Sequence, residues 1–142
     1  MIDQMNLSSA DEQAPIIERL RAENAESVSD CGGSATNTLV AAASFGAKCS
    51  LACVVANDKD GEMYISNLNN IGIDLSGNIR TSFEEPTGKC LILVTPDAKR
   101  TMTTALNISS NLKEEDIDYK NLLNTNMFYI EGYVVTSDYN FN

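Results

Sequence analysis

With 142 residues, 43% of them hydrophobic and 21% charged, the chain has the size and composition of one globular domain with room for a core. Twenty Asp and Glu against ten Lys and Arg leave a net charge of -10, which argues against a nucleic-acid or anionic-membrane binder, because phosphate contacts need clustered cations. There is no His, so Ser/His/Asp and Cys/His catalysis and His-ligated metal are excluded, and acid–base chemistry falls to a carboxylate, Lys, Tyr or Cys.

The N-terminus has neither a basic n-region nor an apolar h-region, and no apolar run approaches the roughly 18 residues of a membrane span. A cytoplasmic protein is expected. The first 27 residues are polar with one helical stretch, residues 15–25, which sets Ile16, Ile17 and Leu20 on one side; Asp11 is the expected cap. Residues 28–31 read as a short strand. Gly32-Gly33-Ser34 follows, then a small-residue helix over 35–45 that ends at Gly46. Residues 49–55 are apolar on both faces, as in a strand buried in a parallel sheet. Asn57-Asp58-Lys59-Asp60 breaks that strand and caps a helix over 61–71, with Met63, Ile65, Leu68 and Ile71 towards the core and Gly72 as its stop. The same cluster fails the pattern of a calcium loop.

An extended segment over 73–81, with a turn at Ser76-Gly77-Asn78, leads to a turn at 84–88. Residues 89–95 are the clearest strand, and Pro96-Asp97-Ala98-Lys99 turns it into a second strand over 100–104, where Thr101 and Thr103 favour extended geometry. A loop at 107–111, a short helix over 113–123 and a last strand at 127–131 complete the pattern. Alternating β and α units imply an α/β layered fold with right-handed crossovers, though two or three buried strands and a hairpin make an unfinished sheet. Cys31, Cys49, Cys53 and Cys90 show no C-x-x-C spacing, so buried free thiols are expected and no metal site.

The most informative stretch is Gly32-Gly33-Ser34-Ala35-Thr36-Asn37. Two glycines between strand and helix let the backbone approach a ligand, and the helix directs free N–H groups at that point. Asn37, on the first turn, both donates and accepts, which suits the vicinal diol of a sugar. Two glycines alone are more often a matter of turn geometry. The stretch is neither a P-loop nor G-x-G-x-x-G.

Taken with the small-residue helix and Gly46, this stretch resembles the N-terminal signature of the PfkB (ribokinase-like) carbohydrate kinases. Residues 54–61 (Val-Val-Ala-Asn-Asp-Lys-Asp-Gly) are similar to the family's strand end, and Asn70-Ile71-Gly72-Ile73-Asp74 to a segment that follows it. Pro86-Thr87-Gly88, the strand after it and Arg100-Thr101 resemble its hairpin. Tyr129-Ile130-Glu131-Gly132-Tyr133 resembles a stretch of its adenosine-kinase-like members, and Met5-Asn6-Leu7 and residues 90–97 look like the bacterial subgroup. The resemblance is collinear from Met5 to Tyr133. Ala56 stands where the family usually has Gly, and Leu39 where it has a small residue.

The resemblance implies a partial ribokinase-like doubly wound sheet of βαβ units with a small β lid hairpin. Residues 1–142 would form an incomplete domain, with lid strands within 28–33 and 73–104 and an α/β core in 34–72 and 113–135. It implies transfer of the γ-phosphoryl of ATP, with Mg2+, to a hydroxyl of a sugar or nucleoside. Gly32, Gly33 and Asn37 would bind the acceptor. Ser34, Arg100 and Glu131 are further candidates, Arg100 near the transferred phosphoryl and Glu131 near the substrate or metal network; as plain residues the last two read equally well as surface charges. The family's catalytic base, in a Gly-Ala-Gly-Asp segment, is expected beyond Asn142. The ATP-binding half and the family's first, Asp-bearing strand have no counterpart in these residues, so the 142 residues alone are expected to be inactive. One alternative is a non-catalytic module that binds a nucleoside or forms a homodimer through its lid strands. Another is a Rossmann-like reductase, against which the missing G-x-G-x-x-G weighs.

Overall fold

A computed structural model describes residues 3–75 and 79–132. The turn expected at Ser76-Gly77-Asn78 and Tyr133, the last residue of the stretch that carries the resemblance, lie outside the described residues. The elements in chain order are β1 (Met5–Leu7), α1 (Ala10–Ala22), α2 (Ser34–Ser44), β2 (Cys53–Ala56), α3 (Lys59–Ile71), β3 (Ile79–Ser82), β4 (Lys89–Val94), β5 (Arg100–Ala105) and α4 (Tyr119–Leu122). Two 3-10 turns, Asn107–Ser110 and Glu114–Asp116, precede α4. No helix among the described residues is long and apolar enough to cross a membrane.

The strands form two sheets. β2 and β3 pair in parallel, Cys53 opposite Ile79 through Ala56 opposite Ser82, and α3 connects them, which makes one βαβ unit. The pairing extends backwards through Ser50 and Asp74. β2 is buried on both faces, as its apolar sequence requires. On one side Leu51, Leu68, Ile73 and Leu75 form the main core, with Cys53, Tyr64, Ile65, Leu39 and Val40 packed around it. On the other, Val54 and Ala56 pack on Ile108 and Leu112.

The second sheet has the order β1-β5-β4. β4 and β5 are the expected antiparallel hairpin, Lys89 opposite Ala105 and Val94 opposite Arg100. β1, which was not expected as a strand, adds in parallel to β5, Met5 opposite Met102. α1 is held to this sheet by Gln13, a buried amide whose Nε2 donates to Thr103 O at 2.7 Å and to Lys89 O at 3.3 Å.

Several expectations need correction. Ser9, not Asp11, caps α1: its hydroxyl accepts from the Glu12 N–H while the Glu12 carboxylate accepts from the Ser9 N–H, so the helix begins five residues before Pro15. Residues 28–31 form no strand, and Val28 is 96% exposed with no partner strand to cover it. Residues 127–131 likewise form no strand. Within the segment 73–104, β3 pairs with β2, and β4 and β5 form the hairpin. The single helix expected over 113–123 is a 3-10 turn and the short α4. Ile71, expected towards the core, is 41% exposed at the last position of α3 and does not pack with Leu51, Leu68, Ile73 and Leu75.

Candidate functional site

The Gly32–Asn37 stretch sits in the open, at the start of α2. Gly33 is the N-cap, with φ 101° and ψ 146°, a left-handed backbone that a side-chain-bearing residue adopts only with strain. A Cβ on Gly32 would meet nothing within 4 Å, so the space above that peptide is free for a ligand. Gly32, Gly33, Ser34 and Asn37 are all exposed. The Asn37 N–H closes the first helical bond onto Gly33 O at 2.9 Å, and its side chain is left to solvent. No side chain caps this helix start. The first-turn N–H groups of the exposed Ser34 and the half-buried Ala35 have no described partner and sit at the positive end of the helix dipole. Beneath them Thr36 is buried, and its hydroxyl lies 2.5 Å from that of Tyr64 on α3.

Glu131 comes close to this turn through Tyr129. The Tyr129 hydroxyl donates to Glu131 Oε1 at 2.6 Å and also faces Thr38, whose own hydroxyl donates to Ser34 O at 2.9 Å. The bond to the Glu131 carboxylate raises the Tyr129 pKa above the ordinary phenol value. Arg100 stands elsewhere. It is exposed at the turn end of the hairpin, its N–H directed at Asp3 Oδ1 at 3.4 Å, and no described contact joins it to the α2 turn. Of the expected site residues, Gly32, Gly33, Ser34 and Asn37 thus share one turn, Glu131 is linked to α2 only through Tyr129 and Thr38, and Arg100 stands apart.

A second polar centre ties the two sheets together and was not read from the sequence as a site. Asp58 Oδ1 caps α3 by accepting from the Gly61 N–H at 2.8 Å and also accepts from the Thr87 hydroxyl at 2.7 Å. Its Oδ2 accepts from the Thr87 N–H at 2.9 Å, and the Thr87 hydroxyl in turn accepts from the Ala56 N–H. Burial pushes the Asp58 carboxyl up, but the bonds from Thr87 and Gly61 and the charge of Lys89 outweigh it, and the pKa lies below the ordinary value. Next to it, Gly88 passes so close to the end of β5 that a Cβ would sit 2.6 Å from both Leu106 O and Ser109 Oγ. The signals were the Asn-Asp-x-x-Gly and Pro-Thr-Gly spacings; what joins them is tertiary.

The four cysteines are free as expected, but not all are buried: Cys31, Cys49 and Cys53 are half-buried and Cys90 is exposed on the hairpin. Burial lifts Cys53 to about 12, and burial with the neighbouring Asp30 charge raises Cys31. Among the described residues there is no group of three or more Cys, Asp or Glu that could hold a metal ion. An open hollow of about 320 Å3 lies between Leu7, Ser8 and Thr104, Leu106, away from all the expected site residues.

Comparison with known proteins adds the context. The pfkB family carbohydrate kinase profile matches residues 2–141. No curated protein matches the chain. Among solved structures, adenosine kinase from Sinorhizobium meliloti is similar at 27% identity and a TM-score of 0.73, over 87% of this chain and 36% of that one. A probable sugar kinase protein from Rhizobium etli CFN 42 is similar at 27% identity and 0.71, over 83% and 34%. Anopheles gambiae adenosine kinase, solved in complex with P1,P4-di(adenosine-5) tetraphosphate, shares the fold at 20% identity and 0.69, over 86% and 36%. The chain spans about a third of the length of each of these structures.

Proposed function

Because the chain belongs to the pfkB family of carbohydrate kinases, we propose that it supplies the acceptor-binding part of an ATP-dependent, Mg2+-using enzyme that phosphorylates a hydroxyl of a nucleoside or sugar. Its mixed α/β architecture is part of the ribokinase-like fold of the adenosine kinase it resembles. The observation that carries the reading is the uncapped, glycine-led start of α2. Its free N–H groups match the oxygens of a sugar diol, and Asn37 beside them can donate to one hydroxyl and accept from the next. Gly32 and Gly33 let the ring lie on the backbone. Glu131, braced by Tyr129, offers an acceptor for a further hydroxyl.

The three-stranded sheet β1-β5-β4 is the proposed lid. As it closes, it excludes water and carries Arg100 to the transferred phosphoryl, where a guanidinium steadies negative charge. ATP supplies the phosphoryl group; the residues that hold it and its Mg2+, and the base that takes the hydroxyl proton, are not among those described.

Calorimetric titration tests the reading. Adenosine is expected to bind the chain, and Asn37→Ala to weaken binding about tenfold, the loss of one or two hydrogen bonds at ~1.4 kcal/mol per decade. An ATP-coupled assay of the 142 residues alone is expected to show no turnover. Failure of both adenosine and ribose to bind, or an Asn37→Ala chain that binds as tightly, overturns the assignment.

A second reading rests on the hairpin edge. Among the described residues β4 pairs only with β5, and Ile92 and Val94 are exposed along it, so a homodimer through these strands is the alternative. Sedimentation of the purified chain as a monomer removes that alternative.

A further inference from the structure

The starts of the three longer helices differ in one respect that bears on the proposed site. α1 is closed by Ser9 in a capping box, and α3 by Asp58. α2 begins at Gly33, which has no side chain with which to cap. A cap stabilises a helix start by accepting a bond from an N–H of its first turn. At α2 it would consume a donor that an acceptor sugar needs; without it the turn frays. The structure meets both demands through Thr36, the third residue of α2. Its side chain points inward and is 3% exposed, while Ser34 and Asn37 face out. Its hydroxyl shares a 2.5 Å hydrogen bond with the Tyr64 hydroxyl, 28 residues away on α3. Tyr64 is itself packed against the core of Leu51, Leu68, Ile73 and Leu75, so the anchor is rigid.

We infer that Tyr64 is a positioning residue for acceptor binding: its hydroxyl holds the first turn of α2 in place of an N-cap and leaves the N–H groups of Ser34 and Ala35 free for the ligand. This rests on the acceptor-binding reading of α2 given above. Burial lifts the phenol of Tyr64 to about 12, so it stays neutral and keeps the bond at any pH at which a kinase works.

The test uses the whole chain, with adenosine as the probe. Tyr64→Phe keeps the ring and removes only the hydroxyl. It is expected to weaken adenosine binding about fivefold or more, the size of one buried hydrogen bond, and to speed amide exchange at Asn37 and Thr38 while Val55 and Leu68 keep their protection. Thr36→Val is expected to match it, Thr36→Ser to retain the unsubstituted affinity, and the Tyr64→Phe/Thr36→Val double variant to bind no worse than either single one, because the two hydroxyls act as one unit. Tyr64→Phe binding within twofold of the unsubstituted chain overturns the inference, as do additive losses in the double variant. Faster exchange at Val55 and Leu68 as well also overturns it, since Tyr64 would then support the core as a whole. Absence of adenosine and ribose binding by the unsubstituted chain overturns the acceptor reading itself and this inference with it, so the two failures read differently.

Discussion

Asp58 shows how much one side chain can carry when its neighbours are supplied from distant parts of the chain. It caps α3 and holds both the N–H and the hydroxyl of Thr87. Asp58→Ala removes three accepted bonds and leaves the Thr87 donors unpaired, and is expected to cost about 3 kcal/mol, seen as a lower Tm. The same contacts give a pH signature. The folded pKa lies below the ordinary 3.8, so the carboxylate contributes stability above that value and loses it as pH falls through the lower, folded pKa. Melting curves from pH 7 to pH 3 are expected to show the gap between the unsubstituted chain and Asp58→Asn narrowing only below about pH 4, near the reference carboxylate value. The capping role was legible, because Asn57-Asp58-Lys59-Asp60 stands where a strand gives way to a helical pattern. The partnership with Thr87 was not, because a turn residue 29 positions away has no local mark of where it docks. The same holds for Thr36 and Tyr64, whose bond depends on how two helices pack.

The elements that were read correctly from sequence are those with a long, regular pattern: α2, α3, β2 and the hairpin of β4 and β5. β1 escaped because it is three residues long and becomes a strand only by pairing with β5 about a hundred positions later. Residues 28–31 and 127–131 show the converse. The apolar and aromatic run 127–131 suits a strand and Val28 alone favours one in 28–31, but neither segment has a partner among the described residues, and a strand without a ladder is only extended chain. Contacts between elements also give a prediction. Arg80 on β3 pairs with Asp116 at 2.6 Å and donates to Asn111 O, which fastens the segment after the first 3-10 turn to the parallel sheet. The Asp116 side chain is only 4% exposed. Arg80→Met is expected to destabilise the chain by about 3 kcal/mol, since it strands a buried carboxylate, whereas the joint change Arg80→Met/Asp116→Leu recovers most of that loss in a denaturant titration.

At the scale of the whole molecule, the chain covers about a third of the solved kinases it resembles and leaves large apolar side chains uncovered. Met127, Phe128 and Ile130 are 86%, 57% and 57% exposed, in a run that also holds Tyr129 and Glu131 of the candidate site. Contiguous apolar surface of this kind binds hydrophobic dyes. Anilinonaphthalene sulfonate fluorescence is expected to rise with this chain and to fall by about half in Phe128→Ser/Ile130→Ser. Of the candidate site, the glycine-led turn before α2 was legible in the sequence, while the bond of Tyr129 to Glu131 and its facing of Thr38 on α2 were not. The close passage of Gly88 against Leu106 and Ser109 has a mechanical consequence. Both roots of the hairpin are clamped at one point: Gly88 N–H donates to Ser109 Oγ, Asn107 Nδ2 to Thr87 O and the Ile108 N–H to Pro86 O. On the proposed lid reading that clamp is the pivot, and β1, paired with β5, moves with the hairpin, so a displacement of about 1 Å near the pivot becomes several at the far tip, where Arg100 stands, a lever six residues long at ~3.3 Å per residue.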